Sequence, residues 1–420
     1  MPDRCAASSP DPLLRLSAPT LAPVELLVLQ GTSFCSLNCT YCDLSAVSRR
    51  QRRVMPPELI DRIFSELFAF GRLAPDVAVI WHLGEPLTLP PEYYDDAIAR
   101  ILRQRDVSAP GRVNIRFDIQ TNGVHIDEAW CAFFRRHATH LDLGVSCDGP
   151  PAMHDAFRLN WSGRATHART RRGMDLLARH GIRYRVIAVV TERTLADPEG
   201  FLDFFHQRRE HLAGFHFNIL AAGSTGDSPE LRYGPADRAR YYQFYRRLLD
   251  LDRAAQQAGG GLSIQNFTQG LARVLAARSD RKISYAEEGS APLRSLNVDA
   301  LGNVTTFYAG LAPEAHRDHY GDGRGLCLGN ILERPLEDMI RSPKLRAIMD
   351  DFARSRQACR RDCAYFDVCP GGFELTKLAT HGRFDTSETP ECVIHVQTLV
   401  DALLDDVAAH LAERESAPAT

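Results

Sequence analysis

Three closely spaced cysteines, Cys35, Cys39 and Cys42, lie in the segment TSFCSLNCTYCDL, directly after the apolar run ELLVLQ. Thiolates at this spacing are typical ligands of soft metals and of iron–sulfur clusters. A cubane cluster has four irons, so three thiolates leave one iron free for another ligand. Zinc with one protein ligand missing is the alternative, but zinc sites usually combine two CxxC-like pairs. No second pair lies nearby.

Four further cysteines lie near the C-terminus, at Cys359, Cys363, Cys369 and Cys392. Four thiolates can ligate a complete cubane cluster, which leaves no iron open. They also suit a tetrahedral structural zinc ion, which stays the alternative here.

The elements that must position these cysteines follow from the apolar periodicity. It predicts strands at 25–30, 76–83, 113–120, 141–146, 184–190 and 215–220. It predicts helices at 56–70, 91–105, 126–137, 171–181, 197–209 and 236–257. Such alternation predicts an α/β fold with a parallel sheet and right-handed crossovers. Six units are fewer than the eight of a closed barrel, so we expect an open, partial (β/α)6 barrel.

Polar motifs follow the carboxyl ends of successive predicted strands, where α/β folds bind their ligands. They are HLGEP (82–86), IQTNG (119–123) and SCDGP (146–150), the last followed by HDAFR (154–158). Each one alone could be an ordinary turn, because Asn-Gly and Asp-Gly-Pro are common turn sequences. Together with the cysteine loop they predict one site at this edge of the sheet.

The chain divides by composition into five predicted parts. Residues 1–22 are a mobile N-terminal segment and 23–257 the barrel; 258–289, which begins with a Gly-rich break, is a linker. Residues 290–395 form a small cysteine-rich domain, and 396–420 a C-terminal helix and tail. Because only residues 1–22 precede the barrel, we expect no separate N-terminal peptide-binding domain.

Composition excludes several function classes. The formal net charge of the 420 residues is −3, and neither half is strongly basic, so we expect no nucleic-acid partner. No apolar run reaches the roughly 18 residues that span a membrane, and no signal peptide is visible. We therefore expect a cytoplasmic location. Because the cytoplasm is reducing, we do not expect the 11 cysteines to form disulfide bonds. Lysine occurs only as Lys282, Lys344 and Lys377, and Arg supplies the other basic side chains. GC-rich coding explains this preference for Arg.

The cysteine loop and strand-end motifs resemble the radical S-adenosylmethionine (SAM) superfamily. The resemblance implies a [4Fe–4S] cluster on Cys35, Cys39 and Cys42, with SAM on the open iron. It implies that Glu85 accepts hydrogen bonds from the SAM amino group and that an aromatic residue packs on adenine. The SAM-binding residues implied in this way are Tyr41, Gly84, Glu85, Thr121, Asn122, Ser146 and Arg158.

The C-terminal region resembles the SPASM extension, which in full form has seven cysteines and two auxiliary clusters. Phe307 and Phe373 replace two cysteines of the first auxiliary cluster, so the resemblance implies that this cluster is absent. Cys359, Cys363, Cys369 and Cys392 match the second, auxiliary [4Fe–4S] cluster. Cys327 stays unassigned, Cys131 and Cys147 are expected in the core, and Cys5 is expected to have no role.

Across nearly its whole length the chain most resembles cyclophane-forming peptide maturases, which share the order WH-GEPL, QTNG, WC-FF, GVS-DGP and C---C-YF--C-GG. This chain has WHLGEPL, QTNG, WCAFF, GVSCDGP and CRRDCAYFDVCPGG at these places. This implies that a 5′-deoxyadenosyl radical takes hydrogen from a side-chain Cβ of a precursor peptide. The carbon radical then joins an aromatic ring. The implied electron donor is a flavodoxin or ferredoxin.

Two other functions stay open. Anaerobic sulfatase-maturing enzymes, which oxidise Ser or Cys to formylglycine, share much of the first half of the chain. They carry both auxiliary clusters and an acidic residue where this chain has Tyr308. A zinc-stapled binding protein is the alternative outside enzymes, and it would use the same cysteines without needing Glu85 or Asn122.

Overall fold

A computed structural model describes residues 21–220, 233–234, 236–279, 291–306 and 316–416. The predictions made for Cys5, Phe307 and Tyr308 lie outside these ranges.

The strands are β1 Val24–Leu29, β2 Leu73–Trp81, β3 Asn114–Thr121, β4 Leu141–Ser146, β5 Tyr184–Val190, β6 Leu212–Ile219, β7 Ser295–Val298, β8 Asn303–Thr306 and β9 Cys327–Asn330. The helices of the first part are α1 Ala46–Arg50, α2 Pro57–Phe70, α3 Pro91–Ser108, α4 Glu128–Arg136, α5 Pro151–Phe157, α6 His167–Arg179, α7 Glu192–Ala196, α8 Pro198–His206 and α9 Asp237–Gln257. Those that follow are α10 Gln265–Ala277, α11 Leu336–Ile340, α12 Pro343–Asp362, α13 Glu374–His381, α14 Pro390–Cys392 and α15 Leu399–Ser416. A π-helical turn, Val393–Thr398, joins α14 to α15.

One sheet holds all nine of these strands in the order β6-β5-β4-β3-β2-β1-β7-β8-β9. Strands β1 to β6 are parallel neighbours in chain order, which confirms the predicted α/β fold and its partial barrel. The sheet extends further than predicted, because β7 pairs parallel to β1 and β8 and β9 follow antiparallel. The carboxyl ends of the first six strands therefore meet at one edge.

Helix α2 illustrates why the sequence folds this way. Pro57 stands at its first position, where a missing N–H costs nothing, and Gly71 ends it with φ 69°. Its buried side chains, among them Ile60, Phe64 and Leu67, recur at three- and four-residue spacing. Burying each such side chain contributes roughly 1.5–3 kcal/mol, which fixes the helix against the sheet.

The segment predicted as a linker, 258–289, contains α10, and residues near the start of this helix contact the sheet. Ile264 forms a parallel bridge with Phe215 of the edge strand β6. The side chain of Asn266 accepts from the amide of Phe217 at 3.0 Å and donates to its carbonyl at 2.8 Å. Because the sheet also runs on into β7, the domain boundaries stay a prediction.

Among the described helices none is both long and apolar enough to cross a membrane.

Candidate functional site

The three-cysteine loop follows β1 and is held by main-chain contacts on two sides. The Cys35 amide donates to the carbonyl of Arg49 at 3.0 Å, and the Thr40 amide donates to Phe157 O at 3.0 Å. The indole N–H of Trp161 donates to the Cys35 carbonyl at 2.8 Å. The loop is therefore anchored by α1 and by the end of α5, so the spacing of the three thiols is fixed by the fold.

The three thiols form no disulfide and are only partly exposed. Burial raises the pKa of each of them. The Cys39 pKa rises to about 11, although the nearby Arg158 lowers it. A coordinated thiol is deprotonated by the metal charge, so these raised pKa values do not prevent the three cysteines from serving as cluster ligands. These residues fit the ligand role that their spacing predicts.

Glu85 lies in the loop after β2 and connects the motif of that loop to the motif after β3. Its side chain is buried, with 1% exposed. Oε1 accepts hydrogen bonds from Thr121 Oγ1 at 2.6 Å and from the Leu87 amide at 3.0 Å. Oε2 accepts from the Asn122 amide at 2.8 Å. The Asn122 side-chain nitrogen in turn lies 4.0 Å from Cys35 Sγ, so the motifs of β1, β2 and β3 meet.

These contacts leave Glu85 with limited capacity for a ligand. A carboxylate offers about four acceptor positions, and three are used inside the protein. One position on Oε2 stays available to a donor such as an amino group. Burial raises the pKa of Glu85 to about 7, although the hydrogen bonds from Thr121, Asn122 and Leu87 lower it. Its predicted contact with SAM stays a prediction.

The backbone around Gly84 requires unusual conformations. Gly84 has φ 102°, and a Cβ there would lie 2.4 Å from the carbonyl oxygen of Thr32, so no larger residue fits against the cysteine loop. Leu83 before it has φ 68°, a left-handed conformation that costs an L-residue roughly 1–2 kcal/mol. Leu83 therefore carries backbone strain at the site.

Asp148, which follows β4, organises a second group of side chains. Arg158 Nε and Nη2 donate to its two carboxylate oxygens at 2.8 and 3.0 Å. The hydroxyl of Tyr41 and the amide of Val189 donate to it as well. Burial alone would raise the pKa of Asp148, but the Arg158 charge holds it below its usual value. The guanidinium of Arg158 also lies 5.4 Å from the centre of the Tyr41 ring.

Sequence reasoning named Tyr41 and Arg158 but missed Asp148, which holds both. The available signal was its place at a strand end between two predicted ligands. Ser146, predicted beside Arg158, accepts a hydrogen bond from Gln120 at 2.9 Å, and its role toward SAM stays a prediction.

The four C-terminal cysteines line one small cavity. Cys359 lies in the last turn of α12 and Cys363 directly after it, Cys369 lies between α12 and α13, and Cys392 ends α14. The Thr389 amide donates to Cys392 Sγ at 3.2 Å. In the described ranges no His, Cys, Asp or Glu residues form a group of three or more that could hold one metal ion. A cubane binds each thiolate through a different iron, so a cavity lined by four separate thiols fits this group.

Phe373 lies in the wall of this cavity and has φ 61°. Cys131 and Cys147 are fully buried in the hydrophobic core, as expected. The Cys327 thiol, on β9, lies 3.5 Å from the carbonyl oxygen of Gly329 and is not part of the cavity wall.

Residues 29–205 match the family model of the Radical SAM superfamily. The chain is 28% identical to an uncharacterized protein of Synechocystis over 383 residues, which cover 91% of this chain and 92% of that protein. It is 25% identical to a serine-type anaerobic sulfatase-maturating enzyme of Bacteroides thetaiotaomicron over 84% of this chain and 83% of that enzyme.

Two solved structures have a similar fold. Native anSMEcpe with bound AdoMet and a Cp18Cys peptide superposes with a TM-score of 0.69 at 18% identity, over 93% of this chain and 98% of that one. Streptococcus suis SuiB bound to its precursor peptide SuiA superposes with a TM-score of 0.58 at 16% identity, over 88% and 76%. The matched residues 29–205 therefore correspond to a radical SAM domain, and the protein is an enzyme. This domain implies a [4Fe–4S] cluster and SAM as its cofactors.

Proposed function

We propose that this radical SAM enzyme modifies a ribosomally made precursor peptide by joining an aromatic ring to a side-chain Cβ. The observation that carries the proposal is the meeting of the motifs of β1, β2 and β3. The main-chain amide of Asn122 donates to the Glu85 carboxylate, and its side-chain nitrogen lies 4.0 Å from Cys35 Sγ. Further support comes from the similarity, over most of the chain, to a sulfatase-maturating enzyme and to a protein that was crystallised with its precursor peptide.

In this proposal Cys35, Cys39 and Cys42 hold the cluster, and Glu85 and Asn122 orient SAM beside it. The bound cluster and SAM supply a 5′-deoxyadenosyl radical that can take hydrogen from an unactivated carbon. Asp148 keeps Arg158 and Tyr41 in place, so their side chains need little reordering when a ligand binds.

The four cysteines of the C-terminal cavity hold one auxiliary [4Fe–4S] cluster in this proposal. Such a cluster can accept the electron that the product must lose when its aromatic ring is restored. A flavodoxin or ferredoxin is the proposed donor to the first cluster. The cavity lined by these four cysteines supports one auxiliary cluster, and Phe373, which replaces a cysteine of the other auxiliary cluster in the resemblance, lies in its wall.

Oxidation of Ser or Cys to formylglycine is the second candidate. Its support is the similarity to serine-type and cysteine-type anaerobic sulfatase-maturating enzymes, each covering 84% of this chain. Both reactions begin with hydrogen removal from Cβ, so the first steps at the cysteine loop are shared.

The deciding experiment uses the reconstituted enzyme, SAM, a strong reductant and two peptides. One is encoded beside the gene and carries aromatic residues near its C-terminus; the other carries a sulfatase-type Ser or Cys site. A crosslink leaves the first peptide short of two hydrogens, resistant to fragmentation between the joined residues and unreactive toward hydrazides. A hydrazide-reactive aldehyde on the second peptide, with no change in the first, would replace the crosslinking proposal by the sulfatase-type one.

A further inference from the structure

A buried lysine contacts one of the four cysteines of the C-terminal cavity. Lys377, on α13, is 1% exposed. Its ammonium donates to Cys359 Sγ at 3.0 Å, to Ser355 Oγ at 2.7 Å and to the Ser355 carbonyl at 3.4 Å. An ammonium has three N–H groups, so every donor has a partner.

Among the groups that accept a hydrogen bond from Lys377, the Cys359 thiol is the one that can carry a negative charge. Ser355 and Cys359 are four residues apart on α12 and so share one face of that helix. Glu374, on the same helix as Lys377, is fully buried, and neither of its oxygens has a hydrogen-bond partner in another residue. Burial raises its pKa to about 7, although the Lys377 charge lowers it. A buried charge is costly unless it is paired, and a Cys359 thiolate supplies the pair.

The choice of residue type is also informative. This chain uses Arg for almost every cation and has Lys only at three positions. Arg presents a broad planar fork, whereas Lys places a compact point charge. Coding bias explains the rarity of lysine, but not why one of the three is buried against a predicted cluster ligand.

We infer that Lys377 is a positioning residue that raises the reduction potential of the auxiliary cluster bound by Cys359, Cys363, Cys369 and Cys392. The inference rests on the proposed function, since that function supplies the cluster. A cluster with four thiolate ligands is anionic, and reduction by one electron adds negative charge. A fixed positive charge on a ligand sulfur stabilises the reduced form more than the oxidised form, and hydrogen bonds to sulfur act in the same direction. Lys377 thereby makes the cluster a better electron acceptor.

The test needs a protein in which only the auxiliary cluster is visible. We would use the full chain with Cys35, Cys39 and Cys42 changed to Ala, reconstituted with iron and sulfide. In this background Lys377→Met removes the charge and the donors, and Lys377→Gln removes the charge but keeps a polar side chain. The matched control is Lys344→Met, which removes one positive charge from the other end of α12. Lys344 lies 15 residues before Cys359, or about 22 Å along the helix axis.

Iron analysis comes first, followed by a redox titration monitored by electron paramagnetic resonance. We expect about four irons per chain in the background protein and its variants. In Lys377→Met and Lys377→Gln the equilibrium constant for reduction should fall at least tenfold. For a one-electron couple this lowers the reduction potential of the cluster by at least 59 mV. Lys344→Met should leave the potential unchanged.

The outcomes separate the two ideas. If the background protein binds zinc or no metal, the proposed auxiliary cluster is wrong. If it binds the cluster and both Lys377 variants keep the wild-type potential, or raise it, the role of Lys377 is refuted while the cluster stands. If Lys377→Met alone fails to bind iron, the Lys377→Gln titration decides.

Discussion

Replacing Asp148 by Ala should destabilise the protein far more than replacing a comparable exposed aspartate. Asp148 and Arg158 form a bidentate pair whose side chains are 1% and 9% exposed. Asp148→Ala leaves the Arg158 charge buried without its partner, which costs about 3–5 kcal/mol. Asp142, on the strand β4 that precedes Asp148, also binds an arginine, Arg185, but both side chains are 38% exposed. Asp142→Ala should cost at most about 1 kcal/mol.

The assay is urea denaturation of the iron-free protein without oxygen, followed by tryptophan fluorescence. If Asp148→Ala lowers the free energy of unfolding no more than Asp142→Ala does, the reasoning that a buried ion pair holds the strand ends together is refuted. The pH dependence gives a second check. Arg158 holds the pKa of Asp148 below its usual value in the folded protein. The stability that the Asp148–Arg158 pair contributes is therefore complete above about pH 4, the pKa of an unfolded Asp, and is lost as the pH falls through the lower folded-state pKa. The difference between wild type and Asp148→Ala should therefore persist at neutral pH and shrink in acid.

Four other results are expected. Cys35→Ala should abolish 5′-deoxyadenosine formation under strong reductant, whereas Cys131→Ala, in the core, should not; equal yields would contradict the cluster assignment. Glu85→Gln should weaken SAM binding by about 1.5–3 kcal/mol. Because burial raises the Glu85 pKa to about 7, wild-type affinity in equilibrium binding should fall below that pH and the variant's should not. Leu83→Gly should raise the free energy of unfolding by about 1 kcal/mol by relieving its positive φ, and an unchanged denaturation midpoint would exclude strain there. The reconstituted enzyme should hold about eight irons and the triple Cys35/Cys39/Cys42→Ala variant about half, whereas about twelve would favour the sulfatase-type alternative.

The sequence predicted the barrel well because its strands and helices carry strong local signals. Each of the six predicted strands overlaps a strand of the structure, since apolar runs bounded by turn residues define it locally. The junction of β7 with β1 could not be predicted in this way, because pairing between segments far apart in sequence leaves no periodic signal in either. Likewise the spacing of Cys359 and Cys363 was visible, but the approach of Lys377 from another helix was not.

The residues that resemblance assigns to SAM also hold the protein's strand ends together. Arg158 has five N–H donors, of which Asp148 takes two, so three stay available to a ligand carboxylate. Glu85 keeps one acceptor position after binding Thr121, Leu87 and Asn122. A site built in this way is largely organised before its ligand arrives, which lowers the entropy cost of binding. It follows that Ala substitutions at these positions combine lost ligand contacts with lost stability. Near-isosteric changes such as Glu85→Gln are therefore needed, because they alter the ligand contact while they keep most of the internal contacts.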